Sequence, residues 1–134
     1  MIEDTIQIRT RYAEVDQMGY VYHANHVMYC HQARTELMRN YGIQDSVLEN
    51  NNILLAVVDF QVNFRSPARY DEELTIVTTL KKMAAATIHF EYEITNDNNE
   101  LICSATSKVA FVDRDSRRPV RAPRFLREAF HTRV

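Results

Sequence analysis

Apolar and polar residues alternate from Thr5 to Tyr12. Ile6, Ile8, Thr10 and Tyr12 share one face; Gln7, Arg9 and Arg11 share the other. A period of two predicts a half-buried strand whose last inward residue is Tyr12. From His26 to Tyr41 the period lengthens. Val27, Cys30, Ala33, Leu37 and Tyr41 recur at spacings of three and four, which predicts one buried helical face. Asn25 is the expected N-cap, and Gly42 the expected residue just past the helix. Ile43 to Asn52 is polar and predicts a short, turn-rich connection.

Alternation then resumes. Leu54, Ala56, Val58, Phe60, Val62 and Phe64 form one face of a strand that Ser66-Pro67 breaks. Leu74, Ile76, Thr78 and Leu80 mark the next, with a turn expected over Lys81 to Ala85. Ile88, Phe90, Tyr92 and Ile94 mark another. Asn96-Asp97-Asn98-Asn99 is a hairpin signal, because Asn and Asp tolerate left-handed backbone. Leu101, Cys103, Ala105, Val109 and Phe111 mark the last strand, and Arg124 to Phe130 suggests a short helix. The order is strand, long helix, then four strands expected as an antiparallel meander. A lone helix with one apolar face needs a sheet to bury it. The expected architecture is therefore α+β, a five-stranded antiparallel sheet wrapped around one central helix.

Length and composition narrow the function. The 134 residues, 46% of them hydrophobic, fit a single domain over residues 1–134 with a real core. No apolar run reaches the roughly 18 residues of a membrane span. The start, MIEDTIQIRT, lacks a basic region and an apolar stretch, so no signal peptide is expected. Cys30 and Cys103 are the two cysteines. Both sit in apolar patterns, which predicts reduced core thiols in a cytoplasmic protein. The net charge of −2 hides a cationic tail of seven arginines after Asp113. That tail reads as a solvated terminus or as a phosphate-contacting edge. Nucleic acid is not expected as a partner, because no basic surface continues along the chain.

The chemistry concentrates between Arg11 and Gly42. One carboxylate, Asp16, lies in a short loop between the first strand and the helix. Unpaired N–H groups at a helix start can hold a negative oxygen, and a carboxylate beside them can attack a carbonyl or activate water. The plainer reading of Asp16 is a turn cap. His23, His26 and His31 lie close together, but no Asp or Cys completes a zinc-ligand spacing, so no metal is expected. There is no Gly-x-Ser-x-Gly nucleophile elbow. With only Gly19 and Gly42 present there is no phosphate-cradling loop, and no cofactor is implied.

Arg11-Tyr12, Asp16, Gly19, Val21-Tyr22-His23-Ala24-Asn25 and Ala33-Arg34-Thr35-Glu36 together resemble the signature of hotdog-fold acyl-CoA thioesterases. The similarity is closest to the Tol–Pal-associated (YbgC-like) branch of the 4-hydroxybenzoyl-CoA thioesterase family. Phe64 to Leu74 resembles the family's strand–turn–strand segment, and Pro119 to Pro123 its C-terminal edge. Met18 departs from that branch, where a second glycine is usual; His26 stands where an aromatic residue is common.

The resemblance implies a hotdog fold and thioester hydrolysis, with Asp16 as nucleophile or general base. It points to the His23 N–H as oxyanion donor, among the amides of Tyr22 to Ala24. The His23 side chain would orient water or thioester; otherwise it packs at the helix start. Tyr12 would hydrogen-bond Asp16 or line the pocket. Gly19, Tyr22, Asn25, Arg65 and Arg69 are the candidate substrate contacts, with Asn25 equally a structural cap. Arg34 and Glu36 suggest a salt bridge or a dimer contact. The implied partner is an acyl-CoA. The implied assembly is a homodimer or homotetramer that pairs sheet edges and places the active site at the subunit boundary. Two alternatives remain: an acyl-carrier-protein thioesterase, and a non-enzymatic acyl- or lipid-binding protein.

Overall fold

The computed structural model describes residues 2–131. The chain forms β1 (Ile2–Arg9), a 3-10 turn (Tyr12–Glu14), α1 (Ala24–Asn40), α2 (Asp45–Asn50), β2 (Ile53–Phe64), β3 (Glu73–Met83), β4 (Thr87–Thr95), β5 (Leu101–Asp113) and α3 (Arg124–His131). The five strands make one antiparallel sheet in the order β1-β3-β4-β5-β2. This is the expected α+β hotdog architecture. The expected four-strand meander holds only for β3 to β5. Strand β3 has two edges, and β1 and β4 occupy them, so β2 pairs with β5 at the far side.

Helix α1 packs against β1 and β3. Its buried residues include Tyr29, Cys30, Ala33, Leu37 and Met38. They meet Ile76, Ile88, Phe90, Tyr92, Ile94, Cys103 and Phe111 from the sheet in one core. The buried face is rotated from the expected one: Val27 is 38% exposed, whereas Tyr29 is buried. Cys30 and Cys103 are both free and buried, and burial raises both thiol pKa values, that of Cys103 to about 11. At the C-terminus of α1, Gly42 has φ of +83°. Its N–H bonds the Arg39 carbonyl at 3.0 Å, and the Ile43 N–H bonds that of Met38 at 2.8 Å. A left-handed glycine closing the last turn is the expected end.

Three local expectations fail. The N-cap is His23, not Asn25; Asn25 lies inside the first turn, where its side-chain amide donates to the Glu14 carbonyl at 2.9 Å. Tyr12 does not end the strand: β1 stops at Arg9, and Tyr12 opens the 3-10 turn, 78% exposed. The Ile43–Asn52 connection contains α2, which buries Leu48 against the core.

Strand β2 is an edge strand with apolar side chains in the open. Val57, Val58 and Phe64 are each about half exposed, at 50%, 56% and 51%, and the β2–β5 register shifts between Val57 and Asp59. An apolar edge of this length is an association surface.

Leu37 is fully buried under α1. Leu37→Ala should lower unfolding free energy by about 2–5 kcal/mol, measured by urea denaturation.

Candidate active site

The loop that carries Asp16 is closed by a bridge between Val15 and Val21. The Asp16 N–H bonds the Tyr20 carbonyl at 2.7 Å, and the Gly19 N–H returns to the Asp16 carbonyl at 3.0 Å. This tight reversal needs φ of +80° at Gly19. Nothing lies within 4 Å of the position a Cβ would take there, so the glycine is required by its backbone angle rather than by crowding. The Asp16 carboxylate is exposed. Its Oδ1 accepts the N–H groups of Met18 at 2.9 Å and Tyr20 at 3.2 Å. The turn-cap reading therefore describes one oxygen, and Oδ2 has no hydrogen bond to the described residues. Two backbone bonds hold Oδ1 and leave the other oxygen open.

Helix α1 begins just beyond this loop, and Glu14 joins the two. The Glu14 carbonyl accepts the Tyr22 N–H at 2.8 Å and the Asn25 side chain at 2.9 Å. Its carboxylate accepts the Tyr29 hydroxyl at 2.8 Å, the Arg11 N–H at 2.8 Å and the Arg11 guanidinium at 3.1 Å. Burial pulls the Glu14 carboxyl upward, but the bonds from Arg11 and Tyr29 outweigh it and hold its pKa below the usual glutamate value. Burial and the Glu14 charge together raise the Tyr29 phenol, so Tyr29 remains the donor at neutral pH. Neither Glu14 nor Tyr29 stood out in the sequence. Tyr29 is 4% exposed and packs inward.

The oxyanion candidates narrow. The Tyr22 N–H is taken by Glu14, and Asn25 and His26 donate to the carbonyls of Tyr22 and His23. The N–H groups of His23 and Ala24 have no acceptor among the described residues, and they open the helix toward the loop. The His23 ring lies 4.4 Å from Tyr22 and 6.4 Å from Phe64 at the end of β2. His26 is 3% exposed, with Nδ1 3.0 Å from the His23 carbonyl. A carbonyl only accepts, so Nδ1 carries the proton there. Burial lowers the His26 pKa and outweighs the hydrogen bond to the His23 carbonyl, which raises it. The neutral ring packs edge-on against Phe64 at 5.1 Å, which fills an aromatic position with an imidazole.

Other expected residues scatter. Tyr12 makes no hydrogen bond to Asp16; its ring packs edge-on to Tyr70 at 5.7 Å. Arg69 reaches the loop, with its guanidinium 5.4 Å from the Tyr20 ring and a bridge between the two backbones. Arg65 follows Phe64 and is exposed. Arg34 and Glu36 form no salt bridge. Glu36 pairs with Arg39 at 3.3 Å, and Arg34 bonds His31 instead. Among the described residues, no group of three or more His, Cys, Asp or Glu is placed to hold a metal ion.

The thioesterase-like superfamily profile matches residues 10–130. The chain belongs to this superfamily. It is 35% identical over 124 residues to YneP of Bacillus subtilis, described as a putative acyl-CoA thioesterase, covering 92% of this chain and 87% of that protein. It is 32% identical to the acyl-CoA thioesterase YbgC of Haemophilus influenzae, covering 92% of this chain and 91% of that one. The crystal structure of the DHNA-CoA thioesterase of Staphylococcus aureus superposes with a TM-score of 0.92 at 28% identity, over 98% of this chain and 91% of that one.

Glu14 gives the superfamily site here a measurable acid limb. A depressed folded pKa adds stability that is present above the unfolded glutamate value and lost as pH falls through the folded value. Tyr29→Phe removes one of the bonds that depress it. The variant should lose about 1 kcal/mol at neutral pH, and its stability should fall less steeply between neutral pH and the acid transition. Urea titrations across that range check both.

Proposed function

We propose that this chain hydrolyses acyl-CoA thioesters to a free acid and CoA, with Asp16 as nucleophile or general base and the N–H groups of His23 and Ala24 as the oxyanion hole. The observation that carries it is a carboxylate oxygen with no hydrogen bond to the described residues, on a backbone-locked loop that leads directly into two unpaired helix N–H groups. As the thioester carbonyl becomes tetrahedral, its oxygen gains negative charge. Fixed amides and the helix dipole favour that charge, and a donor of this kind contributes about 3 kcal/mol. In one route Asp16 attacks the carbonyl carbon, expels the CoA thiolate and forms an anhydride that water cleaves. In the other it takes a proton from the attacking water. The exposed His23 ring flanks the same helix start and can orient the water. Arg69, beside Tyr20 of the loop, and the exposed Arg65 just past Phe64 are the candidate contacts for the CoA phosphates.

The working unit on this reading is at least a homodimer. Strand β2 leaves main-chain edge groups and the side chains of Val57, Val58 and Phe64 open, and a second copy pairing there would cover both. Phe64 also touches His23 and His26, so the same contact would wall the site. The opposite sheet face carries Glu3, Gln61, Asn63, Thr79, Glu91 and Glu93, a polar surface that favours the edge-paired dimer over face-to-face stacking into a tetramer. No helix among the described residues is long and apolar enough to cross a membrane. The two free, buried cysteines support a reducing, cytoplasmic setting.

Asp16→Asn should cut acyl-CoA hydrolysis by at least about 10²-fold while its thermal unfolding stays near the parent's. Parent-like turnover of a panel of acyl-CoAs by this variant would rule the role out. Val57→Asp should shift the protein toward monomer in sedimentation and lower turnover with it. A monomeric parent of full activity would remove the dimer from the mechanism.

A further inference from the structure

Each N–H of the oxyanion pair, His23 and Ala24, is one end of a peptide group. In a planar peptide the N–H and the C=O share one conjugated system. A hydrogen bond to the oxygen draws electron density from the nitrogen and strengthens the N–H as a donor, by about 10–30% per bond. Whatever grips the His23 carbonyl therefore acts on the Ala24 N–H at the other end of the same plane.

That carbonyl is held twice by one residue. His26 gives it a backbone N–H at 3.2 Å and the ring Nδ1–H at 3.0 Å. An N-cap carbonyl ordinarily accepts from the helix backbone alone; this one accepts a side chain as well. The Tyr22 carbonyl, which shares a peptide with the His23 N–H, also favours the ring proton. His26 is 3% exposed, and away from water a hydrogen bond is electrostatically stronger. The ring is wedged in place, with Phe64 edge-on at 5.1 Å and Tyr29 at 6.1 Å. Packing alone asks only for a flat ring here. The imidazole adds what a phenyl lacks, an N–H aimed at a carbonyl.

We propose that His26 is a positioning residue for thioester hydrolysis: through the His23 carbonyl it fixes the plane of the His23–Ala24 peptide and strengthens the Ala24 N–H toward the oxyanion. It rests on the thioesterase reading and adds to it a buried residue that does not itself meet the substrate. The bond is in place before the substrate arrives. Its effect grows as negative charge builds on the thioester oxygen, so it acts on kcat and leaves KM alone.

The test compares the parent, His26→Phe and His26→Asn on whichever of acetyl-CoA, decanoyl-CoA and benzoyl-CoA the parent turns over fastest. Phe keeps the ring and loses the donor. Asn loses the ring and keeps a donor, because its Nδ2 is bonded to Cγ as Nδ1 of histidine is. In His26→Phe, kcat should fall about three- to tenfold, a part of the roughly 10²–10³ that a whole oxyanion donor supplies. KM should stay within about twofold of the parent's. His26→Asn should recover most of that kcat although its melting temperature drops further, since it leaves a gap in the packing. A residue that only packs would give the reverse order, with Phe the better enzyme. By NMR, the His23 carbonyl carbon should move upfield in His26→Phe and return toward the parent position in His26→Asn. Parent-like kcat in His26→Phe, or a His26→Asn as slow as His26→Phe, overturns the role and leaves the thioesterase intact. Should His26→Asn not fold, His26→Phe decides alone. The role stands if kcat falls and the carbonyl shift moves while KM and melting temperature hold, and is overturned otherwise. Hydrolysis of none of the three substrates by the parent overturns the role together with the reading beneath it.

Discussion

One long helix has one apolar face, and one sheet has one face to cover. That mutual burial is the constraint from which the rest of this molecule follows. Leu37, Cys30 and Ala33 cannot leave water without the sheet, and Ile76, Ile94 and Phe111 cannot leave it without the helix. Burial of a large aliphatic or aromatic side chain is worth about 1.5–3 kcal/mol. The position of α1 is thereby set, and so is the position of its first N–H groups.

A helix fixed in space still needs the loop that carries Asp16 held against it. Glu14 does this through both its carbonyl and its carboxylate. Groups from four residues, Arg11, Tyr22, Asn25 and Tyr29, converge on one residue, and the loop that follows has little freedom beyond the turn at Gly19. Electrostatic catalysis depends on donors and charges that are in place before the reaction starts. The price of that order is a partly buried carboxylate, which is tolerated because each of its oxygens accepts a hydrogen bond.

The sheet order has a second consequence. Placing β1 beside β3 sends β2 to the outside, where α1 does not cover it. The result is an apolar edge at one side of the helix, where Val57, Val58 and Phe64 stay half exposed. These features arise from where strands sit relative to the helix. They make that uncovered strip the candidate subunit contact.

Much of this was present in the chain as written. Periods of two and three-to-four located the five strands and α1, because side-chain direction follows backbone geometry within a few residues. The motif from Asp16 to Asn25 marked the loop and helix start, and Gly19 and Gly42 sit where only a left-handed turn continues the chain. Other features needed the assembled fold. The partner of β2 and the rotation that exposes Val27 and buries Tyr29 turn on contacts between residues far apart in sequence. Local pattern encodes which face of an element is apolar. Only tertiary packing decides what that face meets, and hence which hydrogen-bond donors are left unpaired.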